Sequence, residues 1–169
     1  MKTMAIQVGA VGGPEVLVPT EIELAGPGPG QARLRLERIG VNFIDTYHRT
    51  GHYPLPRPFV PGVEAAGVVE SIGEGVHEVA VGDRVAYAMV TGSYAEACLV
   101  PAAKLVRIPD ALPAELAAAT LLQGMTAHYL VHGVRTTRPG DTALVHAAAG
   151  GTGGLLVQAL KAAGARVLA

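Results

Sequence analysis

Aromatic side chains are scarce in this chain: five Tyr and two Phe make up 4 % of 169 residues that are 50 % hydrophobic. The core must therefore be built from Val, Leu, Ala and Ile, and any exposed tyrosine stands out as a candidate for contact with a ligand. Cysteine is scarcer still. The lone Cys98 excludes an internal disulfide and any multi-cysteine zinc site. No stretch of about 18 apolar residues occurs to span a membrane, and the N-terminal MKTMAIQVGAVGG is interrupted by Gln7 and three glycines, unlike the apolar stretch of a signal peptide. Charge of one sign is absent as well: 13 basic against 14 acidic residues leave a net −1. That balance attracts neither nucleic acid nor an anionic membrane, so neither is expected as a partner. These absences together point to a protein of a reducing cytoplasm.

What is present falls into two regimes. Up to about Ile108, short β-branched runs are broken by Gly-Pro and Gly-Asp turns, the punctuation of an all-β region. Strands are expected at residues 4–8, 16–23, 32–41, 62–72, 84–88, 94–100 and 105–108. Residues 32–37 (ARLRLE) alternate as a strand with one wet face does. A short helix is expected at 44–49, and 26–30 (GPGPG) reads as a rigid turn. After Asp110 the period becomes helical. Pro113 sits at a helix start, and apolar residues recur over 114–134, where Gly124 is expected to split the run into two helices because glycine costs roughly 1 kcal/mol inside one. A boundary between a β-rich and an α/β region is expected near residues 121–124.

The last thirty residues read as a dinucleotide site in outline. Residues 142–147 (TALVHA) are expected to be a buried strand, 150–154 (GGTGG) a tight loop, 155–163 a helix that Gly164 stops, and 165–169 a second strand. One β-α-β unit cannot bury itself, so the chain is expected to be a piece of a longer protein, or to be completed by something else. The series Ala147-x-x-Gly150-x-x-Gly153 is a relaxed fingerprint, lacking the first glycine of the stricter form. Backbone N–H groups at the helix start would face a pyrophosphate. A glycine turn serving only close strand-helix packing is the competing reading.

Four motifs in order resemble one family. Gly40-Val41-Asn42-Phe43-Ile44-Asp45-Thr46-Tyr47, Pro61-Gly62-Val63-Glu64-Ala65-Ala66-Gly67-Val68-Val69, Val81-Gly82-Asp83-Arg84-Val85 and His146-Ala147-Ala148-Ala149-Gly150-Gly151 are together similar to those of quinone oxidoreductases, the zeta-crystallin-like branch of the medium-chain dehydrogenase/reductase superfamily. The resemblance covers the whole chain. It implies a mixed β and α/β fold: a GroES-like, β-rich catalytic domain over residues 1–122, then the first β-α-β unit of an incomplete Rossmann-type NADPH-binding domain over 123–169. It also implies members about twice this long, NADPH as hydride donor, a quinone or enone acceptor and a homodimer. NADH is not excluded, because the residue that would read the adenosine ribose follows the second strand.

Zinc alcohol dehydrogenases of the same superfamily carry a cysteine where this chain has Asn42, and a Gly-His-Glu where it has Gly62-Val63-Glu64. Neither an amide nor an isopropyl group replaces thiolate and imidazole on zinc, so no metal is expected. Hydride transfer without a Lewis acid suits an acceptor that is already electrophilic.

The residues expected to act are Asn42, Tyr47 and Tyr53, with Asn42 orienting nicotinamide or substrate carbonyl and the two tyrosines stacking on a flat quinone or donating to its oxygen. A helix N-cap for Asn42 and core packing for the tyrosines are the alternatives. Asn42, Gln123, Thr126, Ala149, Gly150, Gly151, Thr152 and Gly153 are expected to hold the cofactor, although Thr126 would equally serve as an ordinary helix threonine bonding its own backbone. Asp45 reads as a cap or ion pair and Glu64 as a buried hydrogen bond. His128 and His132 lack a third ligand for a metal, His146 reads as packed and hydrogen-bonded, and Cys98 as a buried, inert thiol. Two further readings stay open: a non-enzymatic, crystallin-like nucleotide-binding protein, and an enoyl reductase module.

Overall fold

In the computed structural model, which describes residues 1–169, the first 23 residues form an antiparallel ribbon in which β1 (Lys2–Gln7) pairs with β2 (Val18–Glu23). Residue 16, expected to open the second strand, belongs instead to a 3₁₀ turn, Pro14–Val16. Pro14 fixes φ for such a turn and has no N–H to give a ladder. The alternating segment becomes β3 (Gln31–Gly40), with Ala32 and Leu34 fully buried. It is followed by helix α1 (Phe43–Thr50).

Strands β4 (Glu64–Ile72), β5 (Arg84–Ala88), β6 (Ala97–Pro101) and β7 (Val106–Arg107) join β3 in a five-stranded sheet of order β6-β3-β4-β5-β7. All of its pairings are antiparallel. Strand β4 lies at the centre and is buried on both faces over its first four residues, as the small side chains of Ala65, Ala66 and Gly67 permit. The core of this region gathers Leu34, Val69, Val85, Tyr87 and Val100 around Cys98. Each fully buried aliphatic there contributes about 1.5–3 kcal/mol relative to exposure. Beyond β7, the Arg84 guanidinium donates to the carbonyl oxygens of Leu112 at 2.7 Å and Asp110 at 3.3 Å, which ties the next connection to β5.

By its internal contacts the chain divides into two compact units, Met1–Ala119 and Thr120–Ala169, and helix α2 (Ala114–His128) carries the chain from one to the other. That helix corrects the expected break at Gly124, where a Cβ would meet nothing closer than Leu155 Cδ1 at 4.0 Å and the α-helical ladder runs on. The change comes later, as a π-helical segment over Tyr129–Val134. There Tyr129 packs its ring over Gly133, where a Cβ would lie 2.6 Å from the ring. The wider turn accommodates that ring.

The second unit continues with β8 (Thr142–Leu144), helix α3 (Gly151–Ala162) and β9 (Arg166–Leu168), with β8 and β9 parallel. Val131, Val145 and Leu160 form its small core. Helix α3 begins four residues earlier than expected, so all but the first residue of the GGTGG segment is its first turn rather than a loop. Glycine lowers helix propensity without forbidding the conformation. His146, expected to be packed, is exposed. No helix is long and apolar enough to cross a membrane.

Candidate functional site

In the first unit the site is built where β3 ends. Gly40, the last residue of β3, pairs with Glu64, the first of β4. A Cβ on Gly40 would collide with Glu64 Oε2 and with the carbonyl oxygen of Ala118, so only glycine fits there. Two residues on, Asn42 has extended backbone, φ −124° and ψ 150°, and occupies the N-cap of α1. Its backbone N–H donates to Asp45 Oδ2 at 2.9 Å, one half of a capping box. The Asn42 side chain and the Asp45 backbone close the other half of the box, and Nδ2 of that side chain also donates to Glu64 Oε2 at 2.9 Å. The N-cap, given from the sequence as the alternative to a site role, is thus present, and the same side chain is held by Glu64.

The two carboxylates are buried. Glu64 has no exposed surface, and Asp45 is 6 % exposed. Asp45 Oδ2 also accepts from the Tyr94 hydroxyl at 2.9 Å. Burial, then the Asp45 carboxylate as hydrogen-bond acceptor and negative charge, pushes the Tyr94 phenol above the usual range. Asp45 therefore does the capping work expected of it, and Glu64 makes the buried hydrogen bond expected of it.

Helix α1 ends at Gly51, whose left-handed φ of 79° supplies the C-cap. The Tyr53 N–H then donates to the Tyr47 carbonyl at 3.2 Å, folding the following loop back on the helix. This brings four rings together. Tyr47 meets Phe43 edge-on at 5.2 Å, Tyr53 at 5.2 Å and His52 at 4.9 Å between centroids, and His52 lies 5.1 Å from Tyr53. Phe43 and Tyr53 are 73 % and 49 % exposed, so these rings stand at the surface and are not core. The expected pair Tyr47 and Tyr53 is brought into contact. Phe43 and His52 were missed, although each adjoins a residue already singled out, Asn42 and Tyr53.

In the second unit, Gly150 is the N-cap of α3 and makes no side-chain cap bond, and the first turn carries no acidic residue. A Cβ on Gly153 would strike the Ala147 carbonyl oxygen, so the strand end and the helix start touch backbone to backbone. Ala147, at the place of the missing first glycine, adopts φ 52°, in the left-handed region that glycine favours. Its carbonyl accepts from the Gly150 N–H at 2.9 Å. Ala149, Gly150 and Gly151 are exposed and Thr152 half-buried. Gln123 lies beside this turn, its Cγ 3.2 Å from where a Gly151 Cβ would stand. Thr126 does what a helix threonine does, its exposed hydroxyl donating to the Leu122 carbonyl at 3.0 Å. An uncapped, uncharged helix start of this kind fits a pyrophosphate.

Cys98 is buried against Tyr87, with Sγ 3.3 Å from the phenol oxygen, and burial pushes its thiol up to about 11. Such a thiol has no nucleophilic role at neutral pH.

Residues 28–110 match the model of the alcohol dehydrogenase GroES-like domain. The chain is 47 % identical over 165 residues to a quinone oxidoreductase of Pseudomonas aeruginosa, covering 96 % of this chain and 51 % of that one. It is 45 % identical over 172 residues to a 2-haloacrylate reductase of a Burkholderia species, covering 98 % and 52 %. The crystal structure of Escherichia coli quinone oxidoreductase complexed with NADPH superposes with a TM-score of 0.94 at 41 % identity, covering 97 % of this chain and 51 % of that one. The chain spans about half the length of the curated relatives it matches. Over nearly its whole length, then, this chain is similar to quinone oxidoreductases across about half of their length, and within it residues 28–110 match the alcohol dehydrogenase GroES-like domain.

Proposed function

We propose that the protein to which this chain belongs is a zinc-independent, NADPH-dependent reductase of quinones or activated C=C acceptors. The observation that carries this reading is the surface group of rings, Phe43, Tyr47, His52 and Tyr53, standing one helix away from an amide that is held in place. Flat rings at a surface offer a face to a flat acceptor. Relatives named for quinone reduction and for 2-haloacrylate reduction support an electrophilic acceptor of either kind.

NADPH, when bound, supplies a hydride from its nicotinamide ring. The first-turn N–H groups of α3, at Gly151, Thr152 and Gly153 after Ala149 and Gly150, receive its pyrophosphate, and Gln123 and Thr126 serve its nicotinamide end. Asn42 orients the nicotinamide or the acceptor carbonyl. Tyr47 and Tyr53 stack on the acceptor, and a tyrosine hydroxyl or water gives the proton that the reduced oxygen takes up. Rate enhancement comes from juxtaposition and fixed dipoles. Zinc independence rests on the donor set: the amide of Asn42 is bonded to Glu64, and Val63, 2 % exposed, has no donor atom. A cytoplasmic homodimer completes the proposal.

The test is NADPH oxidation by the complete protein with a para-quinone, an enone and, for the alcohol couple, a saturated aldehyde in parallel, before and after treatment with a chelator. Turnover of the first two, unaffected by the chelator, supports the reading. Activity on the alcohol couple alone overturns it. Saturable NADPH binding without turnover of any acceptor would favour a binding protein instead.

A further inference from the structure

We propose that Glu64 is a positioning residue that sets which way the Asn42 amide faces, an inference that rests on Asn42 belonging to the acceptor or nicotinamide site. A carboxylate oxygen accepts hydrogen bonds and does not donate them, so the Asn42 amide must turn its NH₂ toward Glu64 and its Oδ1 away. A glutamine or a hydroxyl at position 64 would tolerate either orientation. Burying a carboxylate with no exposed surface is costly, and a simple packing role would be served by an apolar residue.

The surroundings are built around this carboxylate. Gly40 lies opposite it in the β3–β4 register and leaves out the Cβ that would run into Glu64 Oε2. The backbone of Asn42 is held separately, by Asp45 Oδ2. Asp45 thus fixes where Asn42 sits, its backbone and carboxylate closing the capping box with Asn42, and Glu64 holds the amide NH₂ on the other side. A polar group aimed in advance is what a site needs to act on a developing charge without reorganising.

Asn42 is the only asparagine in the chain, so a sample labelled with ¹⁵N at asparagine side chains gives a single NH₂ pair. In the folded chain, one proton of that pair is expected to resonate apart from the other, and hydrogen exchange to be slowed by about tenfold or more relative to free asparagine. Glu64→Gln, which admits both orientations, and Glu64→Asp, which withdraws the oxygen by one methylene, are expected to shift the pair and lower the protection while the backbone amides of β4 stay protected. An unprotected Asn42 amide in the unmodified chain, or a pair unmoved by either substitution, overturns the proposal. If both variants fail to fold, the exchange rate of the unmodified chain decides alone. In the complete protein, Glu64→Gln is expected to lower kcat for the acceptor by about tenfold while leaving NADPH affinity within about threefold. The amide measurement needs no turnover, so a protected amide in a protein that reduces no quinone would sink the functional reading and leave the orientation finding standing.

Discussion

Tyr94 gives its hydroxyl proton to the same Asp45 oxygen that receives the Asn42 N–H, so one carboxylate ties the loop before β6 to the start of α1. Tyr94→Phe removes one of the two donors on that oxygen and is expected to cost about 1.5–3 kcal/mol, the range for a hydrogen bond to a charged group. The pH dependence has a definite sign. The folded phenol holds its proton above its ordinary value while the unfolded one ionises at that value, so its contribution is complete below pH 10 and fades as pH rises past it. Thermal melts of the two proteins should therefore differ at pH 7 and converge above pH 10. A gap that does not narrow contradicts the pairing.

Cys98 should be silent toward thiol reagents while the chain is folded. With its thiol pushed up to about 11, roughly one molecule in a thousand carries the thiolate at pH 8, and burial blocks access to it. Iodoacetamide followed by mass spectrometry should find no modification within the time that labels the urea-unfolded chain fully. Because the folded pKa is the higher one, stability should also fall between pH 9 and 11, and Cys98→Ala should flatten that part of the decline.

Glycine and alanine should exchange with opposite outcomes around the start of α3. Gly153→Ala drives a methyl into the Ala147 carbonyl and is expected to cost about 1–3 kcal/mol. Ala147→Gly relieves a left-handed backbone worth roughly 1–2 kcal/mol but adds about 0.5–1 kcal/mol of unfolded-chain entropy, for a small net gain. Melting temperatures of the two variants should move in opposite directions.

The ring group should govern acceptor binding. Tyr53→Ala removes an edge-on contact with Tyr47, and such contacts are worth about 0.5–1.5 kcal/mol. Loss of a comparable stacking contact to a quinone predicts a KM raised by about three- to tenfold. Tyr53→Phe, which keeps the ring, should leave KM near its original value. Steady-state kinetics of the complete protein separate the two.

Most of the fold was legible because its signals are local. The alternation at 32–37 and the β-branched runs before 108 place β3, β4 and β5 within two residues of their observed bounds. Where the sequence misled, tertiary contact decided. Gly124 looks like a helix breaker but faces only Leu155, while the real irregularity comes from Tyr129 wrapping over Gly133, five to nine residues later. The glycines at 151, 153 and 154 read as a loop because their helix propensity is low, yet the close approach of Ala147 to Gly153 favours a helix start there. For the site, Asn42, Tyr47 and Tyr53 could be singled out by motif. The hold of Glu64 on Asn42 could not, because it spans 22 residues and depends on the β3–β4 register.

The measurement that tests the central claim most directly is NADPH-dependent reduction of a para-quinone by the complete protein, compared between the unmodified form and Asn42→Ala. The account predicts steady quinone turnover that falls by about a hundredfold in the variant, the scale of losing one fixed polar contact at the reacting centre, with the fold intact. Turnover that is absent from the unmodified protein, or unchanged in the variant, would contradict it.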